Sequence, residues 1–187
     1  MRICVIGAGY VGLVSATCIA DMDNEVICID NDGGKIEGLK KDIVPIYEPR
    51  LKELIAKNVK AKRLFFTTDT REGILQSDVI FIAVGTPCRK DGRADLSCVE
   101  SVAKEIAKEM EEYKVIVEKS TVPVMTGKWM QDMIKSFNSD GVDFDIVSNP
   151  EFLREGCAIN DFMHPDRIVV GAETERAKKL CKNFTNL

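Results

Sequence analysis

A short segment near the amino terminus, IGAGYVG, constrains the fold of this chain more than any other feature of its sequence. It follows the apolar run RICVI, which has the length and composition of a buried strand, and it leads into an apolar stretch with helical spacing. Gly7 permits a tight turn out of the strand, Gly9 lets a ligand approach the backbone, and Gly12 lets the helix pack closely on the strand. The pattern predicts a strand–turn–helix unit that holds a dinucleotide.

Two other interpretations of this segment are a secretory signal peptide and a glycine-rich turn without a ligand. A secretory signal peptide also begins with a positive charge and an apolar run, but its apolar core is uninterrupted over about 7–15 residues. The three glycines interrupt the run here, which disfavours a signal peptide. The remaining alternative is a glycine-rich turn that binds no ligand.

The second predicted strand, NEVICID, ends in an acid, Asp30, eighteen residues after Gly12. At this distance a carboxylate can accept hydrogen bonds from the ribose hydroxyls of an adenosine. The same charge repels a 2′-phosphate, and no Arg offsets it, because Asn31 and Asp32 come next. The segment therefore favours NAD over NADP.

Strand-like and helix-like segments alternate along the rest of the chain. RLFFTT, SDVIFIAVGTP, YKVIVEKST and DFDIVSNPEF have the pattern of strands, and LKELIAKNV, ADLSCVESVAKEIAKEM and TGKWMQDMIKSF that of helices. We expect Asp95 to cap the second of these helices, and Trp129 and Met130 to lie in the core. The order predicts one domain over residues 1–187, an α/β Rossmann-type fold with a doubly wound parallel sheet and helices on both faces.

Composition excludes several classes of protein. The 187-residue chain has a formal net charge of −4 and a pI near 5.2, which argues against binding nucleic acid or an anionic membrane. No apolar run approaches the roughly 20 residues of a membrane span. Seven cysteines without a C-x-x-C spacing, and one histidine, His164, fit neither a zinc site nor a disulfide framework. We expect no metal, a cytoplasmic location, buried Cys4, Cys18 and Cys28, and an exposed histidine.

Ligands of such sheets lie across the carboxyl ends of the strands, so the residues after each predicted strand are candidate site residues. Beyond the glycine turn and the acid of the second strand, these are Thr86, Ser120, Thr121, Glu151 and Glu155. The hydroxyl residues are equally compatible with turns or helix caps. The two glutamates follow a buried strand closely, which indicates a role in chemistry or in binding a ligand hydroxyl.

A longer set of motifs resembles a known family. IGAGYVGL, PIYEP, VGTP with DGRADLSCVESVA, EKSTVPV, SNPEFLREGCAINDF and PDRIVVG are similar, in this order, to the amino-terminal half of the UDP-glucose 6-dehydrogenases in the UDP-glucose/GDP-mannose dehydrogenase family. Members of this family oxidise the 6-hydroxymethyl group of a nucleotide sugar to a carboxylate with two NAD molecules, through an aldehyde and a cysteine thioester. The resemblance implies NAD as cofactor and a UDP-sugar as substrate.

The resemblance also implies roles for individual residues. The residues implied to contact the pyrophosphate are Gly7, Gly9, Tyr10, Val11 and Gly12, and those implied to hold the adenosine ribose are Asp30 and Lys35. The residues implied to line the nicotinamide end are Thr86, Ser120, Thr121 and Glu155. The substrate is implied to contact Glu151, Phe152, Leu153, Arg154 and Glu155. Glu151 is implied to act as an acid/base residue that positions, with Thr121, the water attacking the thioester.

The chain departs from the family pattern at Asp42, Arg50 and Met125, where glycine is usual, and these departures bear on local turn conformation. It also ends before the linking helix and the domain that carries the nucleophilic cysteine, and none of its cysteines has the GGSCFPKD-like context of that residue. We therefore expect residues 1–187 to be inactive alone and monomeric, and the parent protein to be a homo-oligomer. Two alternatives stay open: a dehydrogenase of GDP-mannose or UDP-N-acetylmannosamine, and a free-standing NAD-binding module.

Overall fold

The computed structural model describes residues 1–185, which form one sheet flanked by helices. The strands are β1 (Arg2–Ile6), β2 (Glu25–Ile29), β3 (Leu64–Thr67), β4 (Val79–Ile82), β5 (Lys114–Glu118), β6 (Phe144–Ser148) and β7 (Gly171–Ala172). The helices are α1 (Tyr10–Asp21), α2 (Gly33–Lys40), α3 (Leu51–Lys60), α4 (Thr70–Gln76), α5 (Ser97–Glu109), α6 (Thr126–Phe137), α7 (Ala158–Met163) and α8 (Glu175–Thr185).

The strand order confirms the predicted doubly wound sheet. Across the sheet the order is β3-β2-β1-β4-β5-β6-β7, and the first six strands are parallel. From β1 the chain adds strands on one side of the sheet, and from β4 it adds them on the other side. The connections that leave the carboxyl ends of β1 and β4 therefore run in opposite directions, which leaves a crevice between these two strands. The short strand β7 pairs antiparallel to β6 and was not predicted, because its two residues carry no alternating pattern.

Apolar side chains cover both faces of the sheet. Val5, Cys28 and Phe81 lie on the face that packs against α1 and α3, and Ile82 and Ile116 lie on the face that packs against α5 and α6. Because helices cover both faces of the sheet, the parallel strands carry apolar side chains on both faces and form continuous apolar runs in the sequence. The sheet therefore gives a rigid support for the loops at its carboxyl edge.

Two local expectations were wrong, and two were confirmed. Helix α5 begins after Leu96, not after Asp95, although the Asp95 carboxylate still accepts a hydrogen bond from Ser97 N at 3.0 Å. Met130 is fully buried, but Trp129 is 37% exposed, because successive helical residues point about 100° apart and only one of the two faces the sheet. The thiols of Cys4, Cys18 and Cys28 are buried, and His164 is exposed.

The three residues at which the resemblance implies glycine in relatives all have left-handed backbone conformations. The φ angles are +59° at Asp42, +68° at Arg50 and +71° at Met125. A residue with a Cβ pays roughly 1–2 kcal/mol for this conformation, and Asp tolerates it better than Arg or Met. The three turns therefore retain a left-handed conformation, and this conformation lowers the free energy of unfolding.

We therefore expect glycine to stabilise the fold at these positions. Met125→Gly and Arg50→Gly should each raise the free energy of unfolding by about 1 kcal/mol, and Asp42→Gly by less. Urea unfolding of the chain measures this. Lys52→Gly, an exposed position inside α3, is the control and should lower stability by about 1 kcal/mol. Equal losses in all four variants would contradict the interpretation.

A carboxyl group is buried at the end of β5. Glu118 is 2% exposed, and neither of its side-chain oxygens has a hydrogen-bond partner among residues 1–185. Burial raises the pKa of Glu118 from 4.5 to about 7, while the nearby N–H and hydroxyl of Ser120 act in the opposite direction. The folded chain therefore keeps a proton on this group in a pH range where the unfolded chain has lost it.

Stability should accordingly fall as the pH rises between 4.5 and 7, because the folded state binds more protons than the unfolded state there. Glu118→Gln cannot ionise, so it should reduce the loss of unfolding free energy between pH 5 and pH 8 by on the order of 2 kcal/mol. Urea unfolding at a series of pH values measures the loss. The control is Glu111→Gln at an exposed position, and a pH dependence shared by both variants would contradict the assignment.

Candidate functional site

The glycine turn lies at the crevice between β1 and β4, and its three glycines have different reasons to be there. Gly7 has a φ of +107°, and a Cβ on it would lie 2.4 Å from the carbonyl oxygen of Ala83. A Cβ on Gly12 would lie 1.8 Å from the carbonyl oxygen of Gly7. A Cβ on Gly9 would meet no atom within 4 Å. Two of the glycines are thus required by packing inside the protein, and Gly9 leaves open space on the ligand side.

The first turn of α1 offers backbone donors to this space. The first helical hydrogen bond runs from Leu13 N to Gly9 O at 2.9 Å, so the preceding N–H groups of Tyr10, Val11 and Gly12 have no acceptor within the helix. Unpaired N–H groups at the positive end of a helix dipole favour an anion. This geometry fits the pyrophosphate of a dinucleotide.

Asp30 lies directly after β2 with its carboxylate fixed by three donors. One oxygen accepts from Ala8 N at 2.8 Å and from Lys35 Nζ at 2.7 Å, and the other accepts from Asp32 N at 3.0 Å. Burial alone raises the pKa of Asp30, but the hydrogen bonds, led by that from Lys35, outweigh it and hold the pKa below its ordinary value. A carboxylate has about four acceptor positions, so one is left for a ligand hydroxyl.

A cavity of about 420 Å³ joins these groups. The glycine turn, Asp30, Lys35 and Gly85 line it on the sheet side. Helix α5 forms the opposite wall with Ser97, Cys98, Ser101 and Glu105, which our sequence analysis missed. Positions 97, 101 and 105 are four residues apart and form one polar stripe on a helix that follows β4. This four-residue spacing of polar side chains is the sequence signal from which the wall of the cavity could have been predicted. The residues present therefore fit a dinucleotide.

Hydroxyl groups join the loops that follow β4 and β5. Thr86 Oγ1 donates to the carbonyl oxygen of Thr121 at 2.7 Å, and Ser120 Oγ donates to that of Val84 at 2.9 Å. The structure thus brings Thr86 together with Ser120 and Thr121, which follow it by 34 and 35 residues in the sequence. Two of the hydroxyls are used to join backbone segments, whereas Thr121 exposes its side chain.

The loop after β6 carries the two candidate glutamates. Glu151 Oε2 accepts from the backbone N–H of Leu153 at 2.5 Å, whereas Glu155 is exposed. Arg154 forms a bidentate pair with Asp161, with distances of 2.7 and 3.1 Å, and this pair raises the pKa of the Arg154 guanidinium. Phe152 is half exposed beneath Arg167. The loop is therefore held partly by its own contacts with α7.

A second cavity, of about 380 Å³, lies beneath this loop. Glu151, Phe152 and Leu153 line one part of it, and Lys119, which belongs to the segment after β5 but was given no role from the sequence, lines another. Lys119 is 6% exposed and donates to Asn149 Oδ1 at 3.1 Å. Burial lowers the pKa of Lys119 to about 8, and the charge of Glu151 opposes that shift. This cavity thus contains a buried amine and a carboxylate.

Tyr10 makes a further contact that sequence reasoning did not identify. The Tyr10 hydroxyl donates to Glu48, the acid of PIYEP, and burial together with this bond raises the pKa of Tyr10 to about 12. Gly156 N lies 3.0 Å from the same hydroxyl. The glycine turn and the loop after β6 are therefore in direct contact.

Residues 1–185 contain neither a cluster of metal ligands nor a membrane-spanning helix. No group of three potential metal ligands occurs there. None of the described helices combines the length and hydropathy needed to cross a membrane.

Comparison with known proteins places the chain in a family. Residues 1–185 match the family model described as "UDP-glucose/GDP-mannose dehydrogenase family, NAD binding domain". UDP-glucose 6-dehydrogenase TuaD of Bacillus subtilis is 52% identical over 183 residues, covering 98% of this chain and 40% of that protein. UDP-glucose 6-dehydrogenase of Rhizobium meliloti is 54% identical over 174 residues, covering 92% of this chain and 40% of that protein.

Solved structures agree with this match. A UDP-glucose dehydrogenase from Pyrobaculum islandicum superposes with a TM-score of 0.95 at 38% identity, covering 99% of this chain and 44% of that one. GDP-mannose dehydrogenase from Pseudomonas aeruginosa superposes with a TM-score of 0.94 at 38% identity, covering all of this chain and 44% of that one. The chain spans about two fifths of the length of its curated relatives. It belongs to the UDP-glucose/GDP-mannose dehydrogenase family, as an NAD-binding domain.

Proposed function

We propose that this chain is the cofactor-binding part of an enzyme that oxidises UDP-glucose to UDP-glucuronate in two NAD-dependent steps. The observation that supports this most directly is the Asp30 carboxylate, fixed beside the glycine turn with one acceptor position free. A ribose with both hydroxyls free can use that position, whereas a 2′-phosphate would meet a negative charge. Lys35 does not reverse this preference, because its ammonium is paired with Asp30.

The cofactor contacts divide along the crevice. Tyr10, Val11 and Gly12 present N–H groups to the pyrophosphate, Gly9 keeps a side chain out of its way, and Gly7 allows the turn that brings the backbone to it. Asp30 and Lys35 hold the adenosine ribose. The nicotinamide end lies against Thr86, Ser120, Thr121 and Glu155. When bound there, NAD supplies a hydride acceptor, and this chain's residues fix the position of that acceptor.

The loop of residues 151–155 contacts the sugar nucleotide, and Glu151 acts as the acid/base residue. In the final step, water attacks the carbonyl carbon of a thioester on a cysteine outside this chain, Glu151 accepts the proton of that water, and the thiolate leaves as the carboxylic acid forms. Thr121 helps to orient the water. The buried ammonium of Lys119 lines the same cavity as Glu151 and places a positive charge beside the proposed reaction site.

UDP-glucose is proposed as the sugar nucleotide because the relatives with 52% and 54% identity carry that name. GDP-mannose is the second candidate, since a GDP-mannose dehydrogenase has nearly the same backbone over this region. The parent protein is proposed to be a cytoplasmic homo-oligomer, and residues 1–187 alone to be an inactive monomer. A free-standing NAD-binding module is the alternative, which a downstream GGSCFPKD-like segment in the gene would exclude.

Cofactor binding should protect Cys98 from alkylation. This thiol is exposed and lines the larger cavity, whereas the exposed Cys88 lines neither of the two cavities and is an internal control. At about ten times the Kd, NAD should slow maleimide modification of Cys98 about tenfold, in proportion to the occupied fraction, and should not slow that of Cys88. NADP at the same concentration should protect less. Peptide mass spectrometry measures both rates; equal protection by the two cofactors would refute the role of Asp30.

Glu151→Gln in the full-length parent tests the chemical role. The amide keeps the shape of the side chain but cannot accept a proton, so turnover should fall by about 10²–10⁴-fold while NAD affinity is retained. Intact-protein mass spectrometry should find a sugar-nucleotide adduct accumulating on the enzyme. The matched control is Glu173→Gln, an exposed residue that lines neither cavity. Slow turnover without an adduct would place the defect in an earlier step, and loss of NAD binding would favour a structural role.

A further inference from the structure

The carboxylate of Glu48 is buried where three separate segments meet. Its side chain is only 6% exposed, and the proposed function gives it no role. It accepts hydrogen bonds from the Tyr10 hydroxyl, from Gly156 N at 2.8 Å and from Ile159 N at 3.5 Å. No Lys or Arg pairs with it among residues 1–185, so neutral donors alone compensate for its burial. Such bonds are charge-assisted and therefore stronger than those between neutral groups.

The donors belong to the two parts of the proposed site. Tyr10 is the first residue of α1 and directly follows Gly9 of the glycine turn. Gly156 directly follows Glu155, has a φ of +84°, and donates both to Glu48 and to the Tyr10 hydroxyl, which is 3.0 Å away. Tyr10, Glu48 and Gly156 thus form a closed triangle of hydrogen bonds, although 146 residues separate the first from the last.

The loop on one side of this triangle makes most of its polar contacts locally. The polar contacts of residues 151–155 are mostly local: Leu153 N donates to Glu151, Arg154 pairs with Asp161, and Arg167 lies over Phe152. Leu153 also packs against the core. These polar contacts join the loop to itself, to α7 and to the segment that follows α7. Alongside the packing of α7 against α1, the bonds from Gly156 and Ile159 to Glu48 tie the end of this loop to α1 and the glycine turn.

We propose that Glu48 is a positioning residue that couples the dinucleotide turn to the loop of residues 151–156. The inference rests on the proposed function, in which the turn contacts NAD and the loop contacts the sugar nucleotide. A ligand that orders the first turn of α1 fixes the Tyr10 hydroxyl, and through Glu48 it fixes Gly156 N. Because coupling is reciprocal, a loop that is held in place also strengthens binding of NAD at the turn.

Glu48→Gln removes this coupling with the smallest change of shape. Glu48 accepts from Ile159 N with one oxygen and from Tyr10 and Gly156 N with the other. In Gln one of these oxygens becomes an NH₂ donor, which faces a backbone N–H donor, so at least one of the hydrogen bonds is lost. Glu53→Gln is the matched control, because it makes the same chemical change at an exposed position of α3. Tyr10→Phe is a second variant: it removes one hydroxyl but keeps the bonds from Gly156 and Ile159 to Glu48.

The experiment measures amide hydrogen exchange over residues 151–159, with and without NAD, together with the Kd of NAD by calorimetry. In the wild-type chain and in Glu53→Gln, NAD should slow exchange in this segment. In Glu48→Gln that response should be lost, and the Kd should rise about fivefold or more. Tyr10→Phe should show a smaller loss of the same kind. A purely structural role would instead speed exchange equally with and without NAD.

The outcomes separate the inference from the proposed function. If Glu48→Gln binds NAD as tightly as the wild type and shows the same NAD-dependent slowing, the coupling is overturned and the proposed function stands. If the wild-type chain does not bind NAD, the proposed function fails, and this inference fails with it. Should Glu48→Gln not fold, as judged by circular dichroism, Tyr10→Phe decides: an NAD response identical to that of the wild type overturns the coupling.

Discussion

The close packing of the glycine turn against β1 and β4 determines the geometry of the rest of the site. A methyl group at Gly12 would overlap the carbonyl of Gly7, and one at Gly7 would overlap that of Ala83. Helix α1 can therefore begin only a few ångströms from the strand that precedes it, and its unpaired N–H groups face the crevice between the two halves of the sheet. Every other candidate residue is located relative to this turn, because the strands carry their loops to the same edge.

Buried acids surround that edge, and each is stabilised in a different way. Asp30 is kept ionised by an ammonium and two backbone N–H groups, which leaves it able to accept a further bond. Glu48 accepts bonds from neutral donors of three segments and so joins them. The Glu118 oxygens have no hydrogen-bond partner among the described residues, and burial favours the neutral form despite the nearby Ser120. Burying a charged carboxylate costs free energy unless hydrogen-bond donors replace the lost water. The number of donors around each acid therefore determines whether it is ionised or neutral in the folded protein.

Much of the fold could be predicted because buried parallel strands and long amphipathic helices leave strong patterns. The first six strands and helices α1, α3, α5 and α6 are where the sequence places them. The short helices α2, α4 and α7 were missed, since six to eight residues give at most two turns and no clear periodicity. In the site, spacing alone identified the glycines and Asp30. The stripe on α5, Lys119 and Glu48 were not identified, because their importance depends on what faces them across the fold.

The sequence by itself determined the strand–turn–helix unit, the acid that ends β2, the family to which the motifs belong and the positions that ordinarily require glycine. These are local properties, fixed by residues that are neighbours in the chain or by steric demands of single positions. Only the tertiary structure decided that Asp42, Arg50 and Met125 adopt left-handed turns, that Thr86 bonds to the loop of Thr121, and that Tyr10 meets Gly156 at Glu48. Contacts across 35 to 146 residues depend on the packing of the sheet, and no pattern along the chain encodes that distance.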